Sequence, residues 1–303
     1  MSIKKLVAVA TASFLTIVPV AQADNVAGVG AQVNEYLAAS GLNVRLEYME
    51  YYTAPDSGEM GRTVFFSDRG NKQIAFGQFA PGDVNRAPWS NGDPDSIDWS
   101  YNTTNLTADV LPKDQKIAHY NAMATWDNLT CSEFGLTAWD VANSGVVLAI
   151  LTGGALGSFS PTADIMHSGF APRIFFDTIA PPNGGDFILG VSFTFIFVDD
   201  ITGEPVDSNN DGYADKAFGD NYYNDEFTWN IGNTFDIETV VLHEAGHGLG
   251  QAHFGEAFLS RGNARLHFNP RAVMNAAYSG VQTSITRTDN AGHCAGWANW
   301  PNK

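Results

Sequence analysis

The spacing of hydrophobic and polar positions changes repeatedly along this 303-residue chain. Residues 25–40 read as a short helix. Residues 43–53 (NVRLEYMEYYT) alternate in part and are rich in aromatic and β-branched side chains, which predicts a strand. Residues 62–67 and 73–79 flank Asp68-Arg69-Gly70-Asn71, a sequence that predicts a hairpin turn. Pro, Gly, Asn and Asp then crowd residues 81–96, marking the best candidate boundary. Beyond it, residues 97–101 predict a short strand. Residues 113–129 predict a helix, with Ile117, Tyr120 and Ala124 at helical spacing. Residues 146–151 and 174–176 are expected to be short apolar strands or core segments. Residues 187–198 (FILGVSFTFIFV) give the strongest strand signal, and residues 199–225 read as an acidic loop. A helix is expected from about Asp236. No internal repeat or low-complexity tract is present. Strands first, with helices around them, predict an α+β fold.

The N-terminus adds a compartment. Lys4 and Lys5 precede an apolar run at residues 6–20, and Ala21-Gln22-Ala23 fits a small-x-small cleavage site. Residues 1–23 therefore read as a secretory signal peptide, since the run is shorter than the ~20 residues a spanning helix needs. The expected location is secreted, extracellular or periplasmic. The net charge is −17, and the leader holds basic residues but no acidic ones. Such acidity argues against nucleic acid and anionic membranes as partners. Cys131 and Cys294 are the two cysteines, and an even count in an exported chain suggests a disulfide.

Chemistry concentrates in FDIETVVLHEAGHGLGQAHFG, residues 235–255. Asp236 is placed to cap the helix, with Glu238 in its first turn. His243 and His247 are four apart, so they project from one face about a turn apart. Two imidazoles in that relation can share one Zn²⁺. Glu244 sits where it can reach a metal-bound water without binding the metal. Gly248 and Gly250 weaken the helix, and Gly250 can take positive φ and turn the chain. That turn would let His253 return as a third ligand. Three nitrogen ligands leave a fourth position open, the mark of a catalytic zinc site. Zinc would activate water and polarise a carbonyl, with Glu244 as general base.

His243-Glu-Ala-Gly-His247-Gly-Leu-Gly250-Gln-Ala-His253 matches the long H-E-x-x-H-x-x-G-x-x-H motif of the metzincin zinc peptidases. Met274, in Arg271-Ala-Val-Met-Asn275, resembles their Met-turn, which lies beneath the zinc. Asp289-Asn-Ala-Gly292 is similar to the start of the last helix in the matrixins, the metzincin branch the chain most resembles. The resemblance implies a twisted, mostly parallel sheet with an antiparallel edge strand, an active-site helix, and a smaller C-terminal subdomain after the third His. It also implies an endopeptidase acting on a protein or peptide substrate, here expected to be monomeric. Residues 89–303 would form the catalytic domain, and residues 24–88 a propeptide or a permanent N-terminal extension. Residues 187–198 would be the edge strand that binds substrate backbone, or else a buried central strand. There are departures. Phe254 follows the third His, where matrixins carry a small hydroxyl residue, and no cysteine-switch segment is present. Tyr278 falls four residues after Met274, whereas the metal-binding Tyr of related families falls two after, where this chain has Ala276.

Asp207, Asn209, Asp211, Tyr213 and Asp215, with Gly212 at the turn, follow the start of a calcium loop. Position 12 holds Phe218 rather than Glu, so Asp220 or Glu204 would have to complete the shell. A structural calcium is expected there, as the matrixin resemblance also implies. His167 reads as a hydrogen-bonded histidine, because no ligand set assembles around it in the sequence. The competing reading is a calcium-dependent extracellular binding or adhesion protein with a relict metal site. It rests on the acidity and on the 207–215 loop.

Overall fold

The computed structural model describes residues 25–302 apart from 56, 68–71, 90 and 263–264. The leader at residues 1–23 and the expected turn at 68–71 lie outside the described residues.

Helix α1, Asn25–Ala39, leads into strands β1, Val44–Thr53, and β2, Arg62–Phe65. The short β3, Gly77–Gln78, precedes β4, Asp98–Asn102, and helix α2, Pro112–Asp127. Then come β5, Thr137–Val141; α3, Val146–Leu151; β6, Ile165–Ala171; and α4, Arg173–Ile179. The long strands β7, Ile188–Phe197, and β8, Ala214–Asn224, lead to α5, Ile237–Gly248. A small hairpin, β9, Glu256–Leu259, with β10, Leu266–Asn269, and helix α6, Arg287–Trp297, end the chain. The main sheet runs β2-β1-β7-β8-β6-β4-β5, with β3 paired to β8. Strands β8, β6, β4 and β5 are parallel, as are β3 and β8. Strand β7 is antiparallel to β8, β1 to β7 and β2 to β1. The fold is thus α+β on a mixed, mostly parallel sheet.

Two cores lie against the sheet. One is built with α2 and α5 and includes Trp99, Met123, Trp126, Val240, Leu242 and Met274. The other is built with α1, α3 and α4 and includes Val33, Leu46, Met49, Val147, Phe176 and Phe193. Strand β1 serves both, with Met49 and Tyr51 in the second core and Tyr52 in the first. The described residues of 25–88 therefore share the sheet and cores of the following segment.

Several expectations are corrected. The apolar run at 146–151 is a helix, and 174–176 lies in the helix Arg173–Ile179; of the two alternatives they are core segments, with Val146–Ile150, Phe175 and Phe176 buried, and not strands. The Asp220 carboxylate accepts from Val146 N at 2.9 Å and Val147 N at 3.1 Å, satisfying two amides at the start of α3. The second half of the expected acidic loop is β8, buried along its whole length. Its polar side chains mimic a loop in sequence but find buried partners, as Lys216 does on the carbonyls of His247 and Gly248. Strands β2 and β3 do not form a hairpin; β2 pairs β1 and β3 pairs β8. Strand β7 is not an edge, because β1 covers it. Cys131 and Cys294 form a disulfide with Cα atoms 5.7 Å apart, fastening the chain after α2 to α6.

Candidate metal centre

Helix α5 starts where Asp236 accepts hydrogen bonds from the Thr239 amide at 2.8 Å and the Thr239 hydroxyl at 2.6 Å. It ends in two nested closures from the chain beyond it: Gly250 N donates to His247 O at 2.9 Å and Gln251 N to Gly246 O at 2.8 Å. Gly250 has φ +81°, which only glycine takes without strain. The reversal delivers His253 back to the helix.

The three imidazoles then converge. His243 Nε2, His247 Nε2 and His253 Nε2 are mutually 3.1 Å apart. His243 Nδ1 donates to Val273 O at 2.7 Å, and His247 Nδ1 donates to Gln251 O at 2.7 Å. Protonated at Nδ1, both rings present a lone pair at Nε2, the orientation a metal ligand needs. Lone pairs aimed at one point repel unless a cation lies between them. The separation suits nitrogens sharing one ion through bonds of ~2.0–2.1 Å. Among the described residues these three form the one cluster of His, Cys, Asp or Glu donors close enough to hold a metal.

Glu244 is fully buried, and neither carboxylate oxygen has a hydrogen-bond partner. Burial pushes its carboxyl well above the usual range, and the nearby Glu50 charge adds to this. Its side chain packs on Gly190 of β7, where a Cβ would lie 2.5 Å from Oε1. Met274 is fully buried, and its sulfur occupies the space that a Cβ on Gly246 would need. Asp289 holds this floor in place by accepting from Val273 N at 3.0 Å and Met274 N at 3.1 Å, and it closes the capping box of α6 with Thr286. Tyr278 does not join the triad; its hydroxyl lies 3.4 Å from Asn233 O.

Strand β1 adds two residues that the motif does not point to. The Tyr52 ring stacks on His243 with centroids 3.8 Å apart and planes 15° apart. Glu50 Oε2 lies 3.0 Å from His247 Nδ1. The sequence signal is weak: Glu50 lies among Tyr48, Tyr51 and Tyr52, but the same strand also carries Arg45 and Glu47.

The 207–215 loop is organised by its own carboxylates. Asp207 accepts from Asp211 N at 3.1 Å and Gly212 N at 3.0 Å, and Asp215 accepts from Ser208 N at 3.0 Å. Asn209 donates to Asp211, whose other oxygen accepts from Tyr213 N at 2.9 Å. Asp207, Asp211 and Asp215 do not form a metal cluster of their own. Asp220 is committed to α3, Ser168 and Tyr222, which rules it out as a closing ligand. His167 is buried, 2.5 Å from the Tyr223 hydroxyl, and is not part of the triad.

No protein-family model matches the chain, and no curated protein matches it. Among the described residues no helix is long and apolar enough to cross a membrane.

Proposed function

We propose that the chain is a secreted zinc endopeptidase of the metzincin type, nearest the matrixins. The convergence of three Nε2 atoms at 3.1 Å, two of them with Nδ1 committed to a carbonyl, carries this reading. Further support comes from the Gly250 reversal, from Met274 beneath Gly246, and from the unpartnered Glu244 carboxylate on the same helix.

His243, His247 and His253 would hold the ion. Bound zinc would lower the pKa of water and polarise the scissile carbonyl. Val273 O and Gln251 O fix the tautomer of two ligands, so those rings need not reorganise. Glu244, with no competing hydrogen bond, is free to take a proton from the attacking water and pass it to the leaving amine. The substrate is a polypeptide. The calcium assignment at Asp207–Asp215 rests on the sequence pattern, with a structural role for the ion.

Glu244→Gln tests the mechanism. The variant is expected to bind one zinc per chain and to lose casein cleavage by roughly 10²–10⁴-fold. Cleavage at the wild-type rate with zinc bound would remove Glu244 from the mechanism.

A further inference from the structure

His119 and His167 are buried apart from the triad, and the mechanism uses neither. We propose that His119, Met123 and His167 form a second metal site, which takes a soft monovalent cation of the copper(I) class. The inference stands independently of the peptidase reading.

The donors come from two elements. His119 and Met123 are four residues apart on α2, so both project from its buried face. His167 lies on β6. None of the three is more than 1% exposed. The rings of His119 and His167 meet edge to face with centroids 5.5 Å apart. His167 Nε2 lies 3.2 Å from Met123 Sδ.

His119 is held so as to offer Nε2. Its Nδ1 donates to Gln115 O at 2.8 Å. A carbonyl only accepts, so the proton is on Nδ1 and Nε2 carries a bare lone pair. That nitrogen is buried and has no hydrogen-bond partner. The Tyr101 ring is 4.9 Å away, yet its hydroxyl does not take up the lone pair and is itself unpartnered. A buried lone pair calls for a partner, and a metal ion is one that brings no proton.

His167 is the adaptable member. Its Nδ1 lies 2.5 Å from the Tyr223 hydroxyl, and a phenol both donates and accepts. When Tyr223 donates, Nε2 carries the proton and makes a weak bond to the Met123 sulfur. When Tyr223 accepts, Nδ1 carries the proton and Nε2 turns a lone pair toward the sulfur, the form a metal ligand takes. Cation binding thus moves one proton from Nε2 to Nδ1 and releases none. Burial lowers His119 to about 4 and His167 well below the ordinary imidazole value, so both rings are neutral at neutral pH.

The donor set selects the ion. Two imidazoles and a thioether carry no charge, and among the described residues no carboxylate completes a cluster with the two histidines. An uncharged, buried site penalises a divalent ion more than a monovalent one. Thioether sulfur is a soft ligand suited to copper(I), whereas calcium and magnesium require oxygen. Both cysteines are held in the disulfide, so no thiolate competes. Helix α2 is the layer over the site, with Ile117, Asn121 and Ala124 exposed on its outer face, and local opening of that helix admits an ion.

The test uses silver(I), which shares the soft monovalent chemistry of copper(I) and needs no reductant that would attack the disulfide. The full chain is loaded with zinc to fill the triad and titrated in chloride-free buffer, with histidine ring nitrogens followed by NMR. One silver ion per chain is expected beyond the zinc, shifting Nε2 of His119 and His167 and leaving His243, His247 and His253 unmoved. Met123→Leu, a swap that cores tolerate, is expected to weaken silver binding by roughly 100-fold, the upper range for losing one partner at a metal site. Met166→Leu, at another buried methionine, should bind silver as the wild type does. Absence of silver binding to the zinc-loaded wild type overturns the proposal. So does silver that enters only by displacing zinc, or that saturates with His119 and His167 unmoved, or that binds Met123→Leu with wild-type affinity.

Discussion

At the scale of single residues, the centre depends on what is missing as much as on what is present. Gly246 lies between the two helical histidines, where Met274 and Trp126 fill the volume of a side chain. Gly246→Ala gains helix propensity of up to ~1 kcal/mol but forces a methyl into a closed site, at a cost of about 1–3 kcal/mol. The net expectation is a lower melting temperature and weaker zinc retention in a chelator competition, because Met274 must leave its place. An unchanged zinc affinity would mean that Met274 does not support the ligands. The convergent histidines were legible in sequence because two are helical neighbours and the third follows one Gly-directed turn. Glu50 and Tyr52 were not, because β1 is far upstream of α5 in the chain and touches His243 and His247 only once the sheet has assembled.

Single elements are governed by how their ends are satisfied. Helix α5 stops at Leu249 because Gly250 takes a left-handed conformation with φ +81°. A Cβ there has room, its nearest neighbour being Gly77 O at 3.4 Å, so backbone strain dominates the effect of substitution. Gly250→Ala is expected to lower stability by about 1–2 kcal/mol, read as a lower urea midpoint at unchanged slope. It should also weaken zinc binding, since His253 hangs on that turn. Asp289 plays a matching part for α6, joining its N-terminus to the Met274 turn. Asp289→Ala removes the N3 half of the capping box, leaving the Thr286 cap, and leaves the amides of Val273 and Met274 unsatisfied, a loss of about 1–3 kcal/mol. Calorimetry checks this, and an unchanged melting temperature would contradict it. Helix α5 and strand β7 were legible because each carries its own pattern. Strand β8 was not, since Asp215, Lys216, Asp220 and Asn221 look like loop residues until their buried partners are known.

At the scale of the whole molecule, one covalent link ties these parts together. The disulfide joins residues 163 positions apart, so it spans both long strands, α5 and the Met274 turn. Cys131 lies just after α2, whose Trp126 donates to Leu242 O of α5 at 2.9 Å. Cys294 lies on α6, whose Asp289 fixes Met274. Reduction therefore loosens the floor of the metal centre from two sides while leaving β1 and β7 paired. Cys131→Ser with Cys294→Ser is expected to cost roughly 2–5 kcal/mol. At about 2–4 °C per kcal/mol for a chain of this size class, the melting temperature should fall clearly. The same double variant should release zinc faster, because the helices carrying Trp126 and Asp289 are no longer held together. Hydrogen exchange separates the two effects. Amides of α6 and of the Met274 turn should lose protection first, while the β1 and β7 ladder keeps its own. Uniform loss of protection across the sheet would show that the disulfide stabilises the fold as a whole rather than the floor of the site.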